Sequence, residues 1–336
     1  MSLQKISLQD PVYGPATIEE PVLLAVIASE AMQRLRGVLQ HGITGLIGVT
    51  VPVSRFAHSL GTMLLVRRLG ASLEEQLAAI LHDVSHTAFS HVIDYVFYDH
   101  DNQSYHDEVK VDYVSGTDLP GVLTHYGYDW KRLLHEEAFP LLEQPAPRLC
   151  ADRLDYFLRD SLDLGLATSA EVRRALSSLN VHQGRIVTES VTVARWLADT
   201  YLAADDASWA NFREVGLYEL AAQAIRRGLA LGIIDKSDFW STDAVVWEKL
   251  SNTDDAQLQE TVSLVSPDTR FIWDETDPSF RVGTKVRTID PDILLPDGRL
   301  LPLSRLDSDF AARRAAYLAR KEGEWPMRVI PPEEVR

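Results

Sequence analysis

Ten histidines are spread over 336 residues, and five of them, His58, His82, His86, His91 and His106, fall within one stretch of the N-terminal third. His82 is followed directly by Asp83, His58 stands upstream in Arg55-Phe56-Ala57-His58-Ser59-Leu60-Gly61, and Asp152 lies well downstream. Imidazole nitrogen and carboxylate oxygen are donors that first-row divalent metals accept. Two histidines and two aspartates leave coordination positions over for water and substrate. A bare His-Asp dipeptide carries little weight, but this one sits in Ile80-Leu81-His82-Asp83-Val84. Polar groups in so apolar a segment are costly to bury unless something satisfies them.

Further spacings point to proton transfer. His86 lies four residues beyond His82, on the same face if the helix continues that far. His91 and Asp94 are three apart, close enough for the carboxylate to orient the imidazole and raise its proton affinity. A general acid that protonates a leaving oxygen needs that. Other candidates are weak alone: His41, His100 and His106 lack a pattern of their own, and His125, His135 and His182 read as structural or surface residues. Asp155, Asp160 and Asp163 by themselves read as a solvated helix face. Tyr156 and Asp160 lie about one and two turns beyond Asp152, so the three share a face.

The elements that must position these residues are mostly helical up to about residue 250. Apolar spacing predicts a helix over 19–40, a connecting loop over 42–53, and a helix over 54–69 capped by Ser54 and stopped by Gly70. Ser72 and Glu75 form a capping box for the helix carrying His82 and Asp83. Further helices are predicted over 87–98, 146–165 and 190–233, with a polar loop at 99–106. The final third alternates like strands at 269–272 and 285–289, and 291–302 with Asp297-Gly298 reads as a hairpin. The expected architecture is mainly α, with a helical core over 1–250 and a small α+β C-terminal appendage over 251–336 packed on it.

Composition narrows the function. An apolar fraction of 46% with 24% charged residues is that of a globular protein, and no apolar run reaches a membrane span. No signal peptide is visible, and the lone Cys150 fits a reducing compartment, so a cytoplasmic location is expected. The net charge of −16 argues against broad nucleic-acid binding, since phosphate backbones attract basic surfaces. A metal can still supply the positive charge that a small phosphate needs.

As a set, these motifs resemble the HD-domain phosphohydrolases, within them the deoxynucleoside triphosphate triphosphohydrolase-like branch. The likeness begins at Asp10-Pro11-Val12-Tyr13-Gly14 and runs through Gln33-Arg34-Leu35-Arg36, Leu39-Gln40-His41-Gly42 and Ser54 to Gly61. It takes in His82 to Asp94 and closes at Ala151-Asp152-Arg153-Leu154-Asp155-Tyr156-Phe157-Leu158-Arg159-Asp160. The resemblance implies an HD-domain helical bundle with a metal on His58, His82, Asp83 and Asp152. It implies that Arg55, His86, His91, Asp94 and His106 surround the reacting phosphate, and that Gln40, Tyr156 and Asp160 touch a nucleoside sugar. A mixed nitrogen and oxygen ligand set suits Fe, Mn, Ni, Co or Zn, with Mg entering alongside substrate.

The expected function is hydrolysis of a phosphoester of a nucleotide or related small phosphorylated molecule, by a chain that can form a homo-oligomer. One departure stands out. The family's basic triphosphate clamp aligns with Tyr201 to Arg213, where Asp205 and Asp206 are acidic and Arg213 is the one arginine. Arg55 and Arg213 are then the expected phosphate-binding cations, and a mono- or diphosphate the expected substrate. Two alternatives remain open: a two-metal cyclic-nucleotide phosphodiesterase or di-iron oxygenase with extra ligands from His106 and His125, and a non-catalytic nucleotide sensor.

Overall fold

The computed structural model describes residues 5–98 and 103–332; His100 lies outside them, as does part of the expected loop at 99–106. Helix accounts for 54% and strand for 12%, so the chain is helix-rich with a sizeable sheet component. The strands are not confined to the final third. An antiparallel hairpin, Ile6–Asp10 with Gly14–Ile18, precedes the first helix. A four-stranded sheet runs Leu179–His182, Arg185–Thr188, Asp292–Leu294, Leu300–Pro302, its middle pair joined in parallel at Thr188 and Ile293. That sheet stitches strands from the helical body to strands of the C-terminal segment. Arg270–Trp273, Trp325–Ile330 and Phe280–Val282 form a third, antiparallel sheet.

Helices begin where the capping chemistry says they should. Ser54 accepts from the Ala57 amide and opens Arg55–Arg68, and Ser72 accepts from the Glu75 amide and opens Leu73–Leu81. Several end earlier than their apolar spacing suggests. The run over 19–40 is broken at Ser29 into Pro21–Ala28 and Glu30–Arg34, because the Ser29 hydroxyl caps the second helix. Only Val92–Val96 of the stretch 87–98 is helical, Gly42–Leu46 forms one turn in the expected loop, and the helix predicted at 146 starts at Ala151. Residues 285–289 are irregular rather than a strand. The 190–233 region splits into Val191–Ala204 and Phe212–Leu231, joined by a wide turn at Asp205–Trp209.

Two apolar clusters organise these elements. One unites Pro21–Ala28, Arg55–Arg68, Leu73–Leu81, Ala151–Asp163 and Val191–Ala204 with Ile289, Ile293, Leu303 and Phe310. The other joins Ala88 to Val96 with Phe212–Leu231, Val282, Trp325 and Met327. The segment from His82 to His91 crosses from the first cluster to the second, which keeps its polar side chains in the seam between them.

Candidate active site

His82 caps the end of Leu73–Leu81, and Asp83 follows it outside the helix. His86 therefore does not share a helix face with His82; the chain has already turned. Arg34 fastens that turn, donating to the carbonyls of Val84 at 3.0 Å and His86 at 2.7 Å. Farther on, Phe89 and Ser90 both adopt left-handed backbone, with φ of 64° and 49°. Such conformations are strained for side-chain-bearing residues and persist only where the surroundings hold them. Here Asp243 accepts from the Phe89 amide at 2.7 Å, and the Ser90 hydroxyl donates to Leu39 O at 2.6 Å. Gly42 is required by the same contact, since a Cβ there would collide with the Phe89 carbonyl.

His58, His82 and Asp83 meet with ligand atoms all within 4.8 Å of one another. Asp152 joins them: its Oδ1 lies 2.9 Å from His58 Nε2 and 3.4 Å from His82 Nε2. The two Nε2 atoms are themselves only 3.2 Å apart. Each imidazole is held from behind through Nδ1, that of His58 donating to Asp155 Oδ2 and that of His82 to Ala79 O, both at 2.8 Å. Anchoring Nδ1 turns Nε2 inward, the usual support for a ligating histidine. Burial pushes the His82 imidazole toward neutrality, but Asp83 and Asp152 outweigh it and lift its pKa to about 10. So strong a demand for positive charge between two carboxylates is what a divalent cation would meet. The donor set fits the metal.

Asp155, which reads from sequence as part of a solvated face, is fully buried and forms the hub behind His58. Its carboxylate accepts from Tyr13 OH at 2.8 Å and from Arg159 Nε at 2.8 Å, and Arg159 also reaches Asp10 at 2.8 Å. The N-terminal motif Asp10 to Gly14 thus buttresses His58 far along the chain. A Cβ at Gly61 would fall on the Asp155 carboxylate and the Arg159 guanidinium, which explains the glycine in the His58 motif. Asp163, by contrast, is exposed as expected.

A cavity of about 600 Å³ opens beside the cluster, within the range that holds small-molecule ligands. Arg55, His86, His91 and His106 line it, as do Gln40 and Tyr156. Arg55 donates to Asp83 at 2.8 Å and to the Ser90 hydroxyl at 3.0 Å. His86 stacks on His106 at 4.0 Å and meets His91 edge-on at 5.0 Å. His91 Nδ1 donates to Asp94 at 3.0 Å, so the carboxylate orients the ring as its spacing suggests. It does not raise the proton affinity. Burial, with the charges of Arg55, Arg287 and Lys285, holds His91 well below the usual imidazole range. Burial and Arg55 depress His86 likewise, and burial brings His106 down to about 4.

Two residues expected to touch substrate are elsewhere. Asp160 sits behind the cavity wall, with Oδ1 3.1 Å from His41 Nε2 and Oδ2 accepting from Trp209 Nε1 at 2.7 Å. His41 and Trp209 are the residues of that group that reach the cavity. Burial lowers the His41 pKa, but Asp160 and Glu214 outweigh it, and the net shift is upward. Arg213 does not line the cavity; its guanidinium holds the carbonyls of Pro267 and Thr269. Nor do Asp205 and Asp206 stand where a phosphate clamp would. Asp205 accepts from Tyr317 OH and from the Arg287 amide, and Asp206 pairs with Arg320 and Lys321. The cations that do line the cavity beside Arg55 are Arg153, Lys285, Arg287 and Arg314. Three of the four come from beyond residue 284, in a segment whose sequence carries no recognisable motif. Among the remaining histidines, His125 and His135 are exposed and His182 is half-buried, all three away from the cavity.

Residues 55–160 match the model of the HD domain, which spans the cluster from Arg55 to Asp160. The chain is 34% identical over 322 residues to metal-dependent phosphohydrolase cns2 of Cordyceps militaris, covering 93% of this chain and 92% of that protein. It is 25% identical over 222 residues to the deoxynucleoside triphosphate triphosphohydrolase SAMHD1 of Gallus gallus, covering 51% of this chain and 36% of that one. A crystal structure of a hypothetical protein from Aquifex aeolicus superposes with a TM-score of 0.72 at 20% identity, covering 98% and 97% of the two chains, and shares the fold. The site and fold define a metal-dependent hydrolase of the HD superfamily. This chain belongs to the HD-domain metal-dependent phosphohydrolases. Among the described residues, no helix is long and apolar enough to cross a membrane.

Proposed function

We propose that the chain hydrolyses a phosphoester of a nucleotide or a related small phosphorylated molecule, with one transition metal held by His58, His82, Asp83 and Asp152. The convergence of these four side chains, with both Nδ1 atoms anchored, is the observation that carries the reading. Such a metal polarises a phosphoryl oxygen and lowers the pKa of bound water. Arg55, already hydrogen-bonded to Asp83, presents its guanidinium to the same phosphoryl group. His91, oriented by Asp94, is the candidate proton donor to the leaving oxygen, with His86 and His106 packed against it. In the free cavity these imidazoles are neutral. An entering phosphate brings negative charge that opposes Arg55, Arg287 and Lys285 and favours protonation of His91. Tyr156, Trp209 and Tyr218 offer aromatic surface beside Gln40, suited to a nucleoside.

A second reading has one observation behind it. Asp83, His86 and His106 also bring ligand atoms within 4.8 Å of one another, and the Nδ1 atoms of both histidines are buried without a partner. A two-metal phosphodiesterase would use them. The test of both readings is a panel of nucleoside mono-, di- and triphosphates, cyclic nucleotides and simple phosphoesters, assayed with Mn, Fe, Co, Ni and Mg. Hydrolysis of a phosphoester with about one metal per chain supports the first reading, and cyclic-nucleotide hydrolysis with about two supports the second. No turnover of any member with any metal would remove the first.

A further inference from the structure

Among the described residues, the acids that line the cavity each have a basic group close by. Asp83 holds Arg55, Asp107 and Glu136 share Lys110, Glu143 pairs with Arg153, and Asp152 lies against His58 and His82. The wall formed by the C-terminal segment is different. Arg287 donates to the Lys285 carbonyl at 3.1 Å and to the Gln103 side chain, and Arg314 donates to the Thr288 hydroxyl at 2.9 Å. Among the described residues, neither guanidinium is paired with a carboxylate. Both are half-buried, both line the cavity, and Lys285 lines it beside them.

Half-buried guanidiniums whose hydrogen bonds go to neutral oxygens leave charge-assisted donors for an anion to complete. Arg287 and Arg314 are hydrogen-bonded to none of His58, His82, Asp83, Asp152, His86 or His91, although the charge of Arg287 reaches His91. They also lie outside the stretch that matches the HD domain, at 55–160. Arg287 is carried by the irregular segment 283–291, pinned where its amide donates to Asp205, and Arg314 by the Ser308–Lys321 helix. Elsewhere the chain is acidic, with a net charge of −16, so this local excess of positive charge stands out.

We propose that Arg287 and Arg314 form a subsite for a second anionic group, and that the substrate is a small molecule carrying two phosphates. One phosphate is presented to the metal cluster and the other to this wall. The proposal rests on the phosphohydrolase reading of the same cavity and adds the class of substrate. A guanidinium recognises phosphate through paired donors in a fixed plane, so discrimination between one and two phosphates falls to these residues.

The experiment is calorimetric titration of the metal-loaded full chain with adenosine bisphosphate (phosphates on O3′ and O5′), AMP and inorganic phosphate. A His91→Ala background serves for any probe that turns over. Adenosine bisphosphate should bind at least about tenfold more tightly than AMP, a ratio set by charge-assisted hydrogen bonds to the second phosphate. Arg314→Gln should remove most of that ratio while AMP affinity stays within about twofold, and Arg287→Gln should weaken adenosine bisphosphate more than AMP. Arg287→Lys, which keeps the charge, should retain part of the preference and guards against a folding artefact. Equal affinity for the two nucleotides in the unaltered chain would overturn the subsite, as would equal weakening of both in the variants. Hydrolysis of p-nitrophenyl phosphate reports separately on the parent reading. Turnover without bisphosphate preference rejects the subsite alone, whereas preference without turnover of any phosphoester rejects the hydrolase reading and keeps the subsite.

Discussion

Among the described residues, Asp83, Asp152 and Asp155 each lie against a basic side chain, whereas the guanidiniums of Arg287 and Arg314 are hydrogen-bonded to neutral oxygens. The first wall is built from regular helices and a buried relay, Tyr13 and Arg159 to Asp155 to His58. The second is an irregular segment tied back through the Arg287 amide and the flank of one helix. The first wall is pre-organised for the proposed chemistry, and the second keeps donors for the proposed ligand. A ligand cage must hold its donors before the metal arrives, and satisfied buried networks provide that rigidity. A recognition wall keeps donors unspent.

The largest expected effect is at His91, the proposed proton donor. His91→Ala should lower turnover by about 10²–10⁴, the range for general acid-base groups, while metal content stays intact. Unchanged turnover would return His91 to a structural role and leave the histidine trio without a catalytic member.

A smaller effect tests the relay. Asp155→Asn keeps the size of the side chain but removes the charge that His58 and Arg159 share. Metal affinity should weaken about 10–100-fold, the usual consequence of losing support behind a ligating histidine. Metal titration of the purified variant reads this directly. If affinity is unaltered, the metal wall is no more pre-organised than its counterpart.

The smallest effect lies at the cavity's rim. Asp160 and Glu214 overcome the burial penalty and raise the His41 pKa, so the folded state binds that proton more tightly than the unfolded chain. The stabilisation is complete below the ordinary imidazole value of about 6.5 and is lost as pH rises through the raised folded value. His41→Gln should therefore show a flatter fall in thermal midpoint from about pH 6 to about pH 9 than the unaltered chain. Parallel curves would mean that the His41–Asp160 pair contributes nothing that titrates.

The metal wall was legible in sequence because its residues sit in local, regular patterns. Ser54 and Ser72 cap the two helices that bring His58 and His82 together, and both caps are readable from residue types alone. Asp94 three residues after His91 gave the tautomer-fixing contact, though not the sign of the proton affinity, which depends on burial and on Arg287 far along the chain. Asp155 was hidden for a similar reason. Helical spacing puts it near the Asp152 face, but only the N-terminal hairpin, with Tyr13 and Asp10, turns that face into a buried one. The cations at Arg287 and Arg314 could not be read at all. They stand in an irregular segment and on an amphipathic helix, where a basic residue looks like any solvated one, and the parallel pairing of Thr188 with Ile293 helps bring the segment back to the site. The acidic pair Asp205-Asp206 misled for the converse reason, since its partners Tyr317, Arg320 and Lys321 come from that same distant helix.

His58, His82, Asp83 and Asp152 are proposed to hold the metal on which phosphoester hydrolysis depends. Elemental analysis of the purified chain and of its Asp83→Ala variant, each assayed in parallel for phosphoester hydrolysis before and after chelation, tests it most directly. About one transition metal per unaltered chain is expected, with activity abolished by chelation and restored by metal, and neither metal nor activity in the variant. Full activity in a metal-free Asp83→Ala protein would contradict it.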